Sequence, residues 1–130
     1  MYNFRTDLAL ERRDIYKKVN NLKQIDGVES TEEEISEKLK VTRVKIINQN
    51  GEKAIGKPIG NYVTIDVKKL KIAEDEDIQK ASDIVANELR KIIDIHTEKQ
   101  EDILVVGLGN IYVTPDALGP KVINEIDVTR

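Results

Sequence analysis

An apolar run that ends in paired glycines constrains the fold of this chain more than any other stretch. The run Ile103–Val106 is followed by Gly107, Leu108 and Gly109. A short apolar run with β-branched members, bounded by glycines, is typical of a strand that is buried on both faces. The glycines allow the backbone to turn sharply and to approach another group closely. The sequence therefore predicts a buried strand over residues 103–106, followed by a tight turn.

The residues after this turn predict the start of a helix that carries an acidic side chain. Thr114 can cap the helix, Pro115 suits its first turn, and Asp116 falls beside the unpaired N–H groups there. The helix dipole favours the charged form of a carboxylate in that position. Because open α/β sheets bind ligands just beyond the carboxyl ends of their strands, Asp116 is the candidate site residue. A carboxylate that only completes a helix cap explains the same pattern.

A hydrolytic site built from carboxylates needs a second aspartate close to the first. Proximity keeps one of the two protonated, so that it can donate a proton while the other activates water. Asp7, Asp66 and Asp127 are candidate partners of Asp116, and nothing in their spacing selects one. Pro120 lacks the N–H that would bond to the carbonyl of residue 116, so either the helix starts nearer Gly119 or its first turn is distorted. In both cases we expect the Asp116 carbonyl to be unpaired.

For the other residues whose side chains or spacing could point to chemistry, a structural role is the favoured interpretation. The glycines at 107 and 109 invite a dinucleotide-binding interpretation, but Tyr112 stands where the fingerprint needs a further glycine or alanine. His96, the one histidine in the sequence, comes at a helix end, where we expect it to contact terminal carbonyls. With no serine or cysteine near it, His96 has no nucleophile to activate. Lys121 is predicted to be solvated rather than paired with Asp116.

Composition narrows the class of protein. The chain has 130 residues, a net charge of -3 with both signs mixed along its length, and no cysteine. Disulfides, thiolate catalysis and zinc–sulfur sites are therefore excluded, and the mixed charge argues against nucleic acid as the main partner. No apolar run approaches the roughly 20 residues that span a bilayer, and the N-terminus lacks a signal peptide's apolar core. We therefore expect one cytoplasmic domain without a membrane partner.

The N-terminal half predicts a helix and then a hairpin. The helix begins near Thr6 and ends near Asn20, with Arg13 on its solvated side. Over residues 25–47 two interpretations compete: a helix with a capping box that starts at Thr31, or a hairpin whose return strand is the β-branched stretch 39–47. We favour the hairpin, with Glu32–Glu34 as a solvated turn rather than a metal site. The basic residues of the return strand then face glutamates of the first strand.

The C-terminal half predicts an alternation of strands and helices. Asn50-Gly51 predicts a turn, and residues 62–67 predict a strand. Residues 74–96 predict a helix with an acidic first turn, and the last helix is predicted to follow residue 114. Strand, helix, strand and helix give a right-handed crossover and a partly parallel sheet. The predicted class is thus α/β, a mixed sheet with an N-terminal antiparallel hairpin. Because an alternating fold would begin another strand near Arg130, we expect a single domain over 1–130 that is a fragment, or a sheet edge that another chain covers.

Four stretches of the chain together carry a resemblance to a known family. They are Arg5–Ala9, Gly60–Thr64, Leu104–Asn110 and Val113–Pro120. These stretches closely resemble the spore germination protease family, the endopeptidases of spore-forming bacteria that degrade small acid-soluble spore proteins when germination begins. The resemblance runs from about Phe4 to the end of the chain, and its last motif is long enough to be specific.

This resemblance implies an atypical aspartic endopeptidase that uses two catalytic aspartates, needs no metal or other cofactor, and assembles as a homotetramer. Its first catalytic aspartate corresponds to Asp116, and its second lies downstream of Arg130. The implied fold is similar to that of the hydrogenase maturation proteases. The family is made as a zymogen whose propeptide ends just before the segment that matches Phe4–Asp7, and only Met1–Asn3 precede that segment here.

The resemblance thus makes residues 1–130 the N-terminal fragment of a longer catalytic domain in the forespore or spore core, inactive by itself. Small acid-soluble spore proteins are the implied substrate. Two other hypotheses stay open. One is a non-catalytic fragment or association module. The other is a nickel-sensing endopeptidase of the hydrogenase-maturation type with Asp116 as a ligand, against which the shortage of histidine counts.

Overall fold

The computed structural model describes residues 8–21, 23–68, 75–96 and 102–127. The chain divides into two units, Met1–His96 and Thr97–Arg130. The described elements of the first unit are α1 (Ala9–Asn20), β1 (Val28–Ser36), β2 (Leu39–Ile46), α2 (Gln49–Ile55), β3 (Gly60–Val67) and α3 (Asp75–His96). Those of the second unit are a 3₁₀ turn (Thr114–Asp116) and α4 (Leu118–Asn124).

A three-stranded sheet with the order β1-β2-β3 forms the centre of the first unit, and both strand pairs are antiparallel. The predicted hairpin is therefore confirmed, and the competing helix over the same residues is wrong. The run Glu32–Glu34 was expected in the turn but lies within β1, and the turn is formed by Glu37 and Lys38. The glutamates fit in a strand because Lys40 and Arg43 of β2 form ion pairs with Glu32 and Glu33.

One face of the sheet packs against α1 and α2 and forms the main core. The central strand β2 supplies Val44 and Ile46, which contact Ala9 of α1, Ile55 of α2 and the nearby Ile25. All of these side chains are buried. The burial follows from the alternation of β2, whose β-branched residues at every second position point to one face.

Helix α1 is confirmed, but its buried side is not the predicted one. Arg13, expected in solvent, is 4% exposed, whereas Val19 is 55% exposed. The Arg13 guanidinium lies 2.8 Å from a carboxylate oxygen of Glu32 in β1 and 2.7 Å from one of Asp14. The buried side of α1 thus includes an ion pair that reaches from the helix to the sheet.

The predicted turn at Asn50-Gly51 is wrong, because both residues lie in α2. The side chain of Asn48 caps this helix by accepting the N–H of Gly51 at 3.0 Å. A Cβ at Gly51 would lie 2.3 Å from the carbonyl oxygen of Gly27, so glycine serves close packing here rather than a turn. The helix ends at Gly56, whose φ of +68° suits glycine.

Helix α3 is confirmed almost over its predicted length and begins with Asp75, Glu76 and Asp77. Carboxylates at these positions interact favourably with the positive end of the helix dipole. Near its middle, Glu88 is 5% exposed and joins the helix to Arg43 of β2. Because Arg43 is one residue from Val44 along β2, this ion pair lies on the sheet face opposite the main core.

The predicted strand over Ile103–Val106 is not formed. In the described part of the second unit no strand is assigned, and Leu104 is 86% exposed. The strand pairs of the described residues are all antiparallel, so the predicted parallel crossover is absent from this part of the chain. An apolar stretch becomes a sheet strand only where a neighbouring backbone takes up its N–H and C=O groups.

Candidate functional site

The backbone around Asp116 is a 3₁₀ turn over Thr114–Asp116 that leads into α4. Pro115 lies in the first turn, as predicted, because its missing N–H would have no partner there. The predicted Thr114 cap is wrong: Val113 precedes the 3₁₀ turn, and neither this turn nor α4 begins with a side-chain cap. Other hydrogen bonds must therefore fix the turn.

Backbone hydrogen bonds link Asn110, Val113 and Asp116 in a closed ring, hereafter the hydrogen-bonded ring. The N–H of Asn110 donates to the Asp116 carbonyl at 3.0 Å, the N–H of Asp116 to Val113 at 2.8 Å, and the N–H of Val113 to Asn110 at 3.0 Å. The prediction of an unpaired Asp116 carbonyl is therefore wrong. Both backbone groups of Asp116 are held, so the origin of its side chain is fixed from two directions.

Glycines allow the segment before the ring to lie directly against the turn. A Cβ at Gly109 would lie 2.0 Å from the Asp116 carbonyl oxygen, and one at Gly119 would lie 2.1 Å from the carbonyl oxygen of Leu108. At Gly107 a Cβ would lie 2.3 Å from the Gly119 carbonyl oxygen. Any other residue would push the two segments apart. Close backbone packing accounts for these glycines as a group, which is the structural role weighed against nucleotide binding.

The side chain of Asp116 is exposed. An open depression of about 710 Å³ lies in the same unit, and its lining includes Asn110, Pro120 and Ile123. Asp116 is not among the lining residues, so its carboxylate is reached from solvent rather than from within this depression.

The candidate partner aspartates are not brought into a pair with Asp116 within the second unit. Asp127 follows α4, which has 7 residues, while Asp116 precedes it. A helix of that length separates its ends by about 10 Å, too far for a shared proton. Asp66 is an exposed residue of β3 in the first unit, and Asp7 lies outside the described residues.

Other residues singled out from the sequence have plainer surroundings. His96 ends α3, as predicted, but its side chain lies outside the described part. Lys121 is exposed in α4, in agreement with its predicted solvation. Within those same residues, no group of three or more His, Cys, Asp or Glu side chains could hold a metal ion. The described helices include none that is long and apolar enough to cross a bilayer.

The strongest electrostatic features of the described chain lie in the first unit. Hydrogen bonds from Lys40 and then Arg13 lower the pKa of Glu32 to about 2. The hydrogen bond from Arg43 lowers the pKa of Glu88 to about 2 against the opposing effect of burial. The facing charges of the hairpin were expected, but no local pattern indicated a role for Glu88, because its partner Arg43 lies 45 residues away.

Comparison with known proteins places the chain in a family. The family model described as germination protease matches residues 6–130. A germination protease of Clostridium perfringens is 49% identical over 130 residues, which are 100% of this chain and 39% of the relative. The germination protease of Caldanaerobacter subterraneus is 47% identical over 97% of this chain and 37% of the relative.

A more distant relative shows the same pattern of coverage. The germination protease of Priestia megaterium is 39% identical over 134 residues, which are 99% of this chain and 36% of the relative. The chain thus spans well under half the length of the curated relatives that it matches. Since the family model covers nearly all of the chain, this chain belongs to the germination protease family.

Proposed function

We propose that this chain forms part of an aspartic endopeptidase that begins the degradation of small acid-soluble spore proteins during germination. Membership of the germination protease family supports a peptidase. The hydrogen-bonded ring is the observation that supports Asp116 as the catalytic residue. It holds both backbone groups of Asp116, while the side chain is exposed. A fixed backbone under an accessible carboxylate is what a catalytic group needs.

The proposed chemistry pairs Asp116 with a second aspartate from family sequence downstream of Arg130. One carboxylate, ionised, takes a proton from water as the water attacks the peptide carbonyl. The other, protonated, donates its proton to the leaving amine. Two carboxylates in contact reach this mixed state because both cannot ionise easily at close range. The route needs no metal or other cofactor.

We propose further that the intact protein is a homotetramer in the forespore or spore core. Its proposed fold is similar to that of the hydrogenase maturation proteases. Light scattering during size-exclusion chromatography tests the tetramer. The alternative, a nickel-sensing role with Asp116 as a ligand, has a separate test. Metal analysis of the purified protein would reveal bound nickel if that alternative were correct.

Asp116→Asn tests the catalytic assignment in a chimera in which residues 1–130 replace the stretch they match in the Clostridium perfringens relative. We expect cleavage of a small acid-soluble spore protein to fall by about 10²- to 10⁴-fold, because asparagine cannot exchange a proton. Asp94→Asn, at an exposed position of α3, is the matched control and should leave cleavage unchanged.

Two results would contradict the proposal: retained cleavage by the Asp116→Asn chimera, or a folded unsubstituted chimera that cleaves nothing. Incubation of residues 1–130 alone with the same substrate tests the non-catalytic alternative for the isolated chain. We expect no cleavage there, because the second aspartate is missing. Cleavage by the isolated chain would contradict this expectation and show that residues 1–130 suffice for activity.

A further inference from the structure

We infer that Asn110 is a positioning residue for Asp116 and that its side-chain oxygen performs this role. The inference rests on the proposed function, since positioning matters for catalysis only if Asp116 acts on the substrate. Asn110 follows Gly109 and is exposed, and no motif considered from the sequence gives it a role of its own. Its contacts in the structure give it one.

The first step of the argument is the hydrogen-bonded ring itself. Asn110 donates its N–H to the Asp116 carbonyl and accepts the N–H of Val113, and Val113 in turn accepts the N–H of Asp116. A change in the backbone at Asn110 is therefore transmitted to Asp116 along both directions of the ring. Asn110 is also the residue of the ring that is bonded covalently to Gly109, where the backbone packs against the Asp116 carbonyl.

The second step is the side chain. Oδ1 of Asn110 accepts the N–H of Tyr112 at 3.0 Å, which locks the turn between Asn110 and Val113. Asparagine favours such turns because its side-chain oxygen can bond to the backbone two residues on. The 3₁₀ turn and α4 both begin without a side-chain cap. The Asn110 side chain thus holds the turn that leads into the uncapped 3₁₀ turn, rather than an N–H group of the 3₁₀ turn itself.

The third step connects this turn to catalysis. Loss of the Oδ1 contact frees the Tyr112 N–H and lets the Asn110–Val113 turn open. Val113 then shifts, and its carbonyl is the acceptor for the N–H of Asp116. A displacement of a catalytic group by about 1 Å can cost on the order of a hundredfold in rate. Because Asn110 need not touch the substrate for this effect, the loss belongs in kcat rather than in KM.

The test compares side chains that keep or lose the acceptor oxygen, in the chimera used for Asp116. Asn110→Ala removes it, Asn110→Asp keeps it in place, and Asn110→Ser keeps a weaker acceptor of the same turn type. We expect kcat to fall by about 10- to 100-fold in the alanine variant with KM changed less than about threefold. The aspartate variant should recover most of kcat, with serine between the two.

A stability control separates positioning from general loosening. Ile46→Val trims the core of the first unit and should lower the unfolding temperature without lowering kcat. Amide exchange in residues 1–130 gives a readout independent of activity. There Asn110→Ala should speed exchange at Tyr112 and Asp116, and Asn110→Asp should not. If the alanine variant does not fold, the difference in kcat between the aspartate and serine variants tests the role of the Asn110 oxygen.

Each outcome has a distinct meaning. An unchanged kcat in the alanine variant, or an aspartate variant as slow as alanine, overturns the role of the Asn110 oxygen. Retained activity in Asp116→Asn overturns the proposed function instead, whatever the Asn110 variants do. Loss of kcat in alanine, rescue by aspartate and an inactive Asp116→Asn together establish both.

Discussion

At the scale of single residues, the region around Asp116 is governed by backbone contacts rather than by side-chain chemistry. Glycines at 107, 109 and 119 allow carbonyl oxygens to come where a Cβ would otherwise be. The ring through Asn110 then uses both backbone groups of Asp116. The carboxylate is exposed to solvent, and neither the 3₁₀ turn nor α4 begins with a side-chain cap.

Gly119→Ala separates the effect of this close packing from the effect of helix propensity, because the two effects have opposite signs. Gly119 lies in α4, where alanine is intrinsically better than glycine by about 1 kcal/mol. A Cβ would nevertheless lie 2.1 Å from the Leu108 carbonyl oxygen, so the segments must separate and the ring must loosen. We expect cleavage by the chimera to fall at least about tenfold. Lys121→Ala, at an exposed position of the same helix, is the control. Equal activity of the two variants would contradict the close-packing role.

The sequence predicted Asp116 as the candidate residue and Pro115 in its first turn, because both rest on local rules of helix starts. It could not predict the paired Asp116 carbonyl. Pro120 correctly removes the usual donor, but the replacement donor is the N–H of Asn110, which reaches Asp116 only because Gly109 lets the chain approach. Such a contact depends on two segments meeting, which no local pattern encodes.

At the scale of elements, ion pairs join the helices to both faces of the sheet. Arg13 of α1 pairs with Glu32 of β1, and Glu88 of α3 pairs with Arg43 of β2. The sequence predicted β2 and α3 from strong local periodicity. It missed α2, whose Asn50-Gly51 resembles a turn while Asn48 caps a helix, and it misjudged the buried side of α1. The error in α1 arises because Arg13 pairs with a residue distant in sequence. The error in α2 arises because the capping residue Asn48 was not recognised as a helix start.

The Arg43–Glu88 pair predicts how stability responds to acid. Arg43 lowers the pKa of Glu88 from 4.5 to about 2. A carboxylate with a lowered folded pKa stabilises the fold above its unfolded pKa, and this stability is lost as the pH falls from about 4.5 to about 2. Because the Glu88 side chain is only 7% exposed, the contribution is on the order of 3 kcal/mol. Urea unfolding of residues 1–130 and of its Glu88→Gln variant at pH 7 and pH 3 measures the part of this loss that occurs above pH 3, about 2 kcal/mol.

Glu88→Gln should lower the free energy of unfolding at pH 7 and flatten its decline toward pH 3. Glu76→Gln is the matched control on the same helix, since Glu76 pairs with Lys80 at the surface and is 77% exposed. Surface pairs of this kind contribute about 0–1 kcal/mol, so we expect little change there. Identical pH dependence in the two variants would show that the Arg43–Glu88 pair is not a main source of acid sensitivity.

At the scale of the whole molecule, the two units differ in how much apolar surface they bury. The first unit has a continuous core, whereas in the second Leu104, Val106 and Leu108 are more than half exposed. An exposed apolar stretch of this length is typical of a surface that another part of a protein covers. The matched relatives are more than twice as long as the chain, so they contain sequence that could supply this cover.

Amide exchange over residues 103–108 tests this division. In residues 1–130 alone these amides have no strand partner among the described residues, so we expect exchange close to that of an unfolded chain. In the chimera with the Clostridium perfringens relative, neighbouring strands should pair with the stretch and slow exchange by orders of magnitude. Amides of Val41 and Val44 in β2 are the internal reference, because they are buried in the first unit and should be protected in both proteins. If residues 103–108 exchange equally fast in an active chimera, the stretch is not a strand of the working enzyme, and the predicted parallel sheet would be wrong for the intact protein as well.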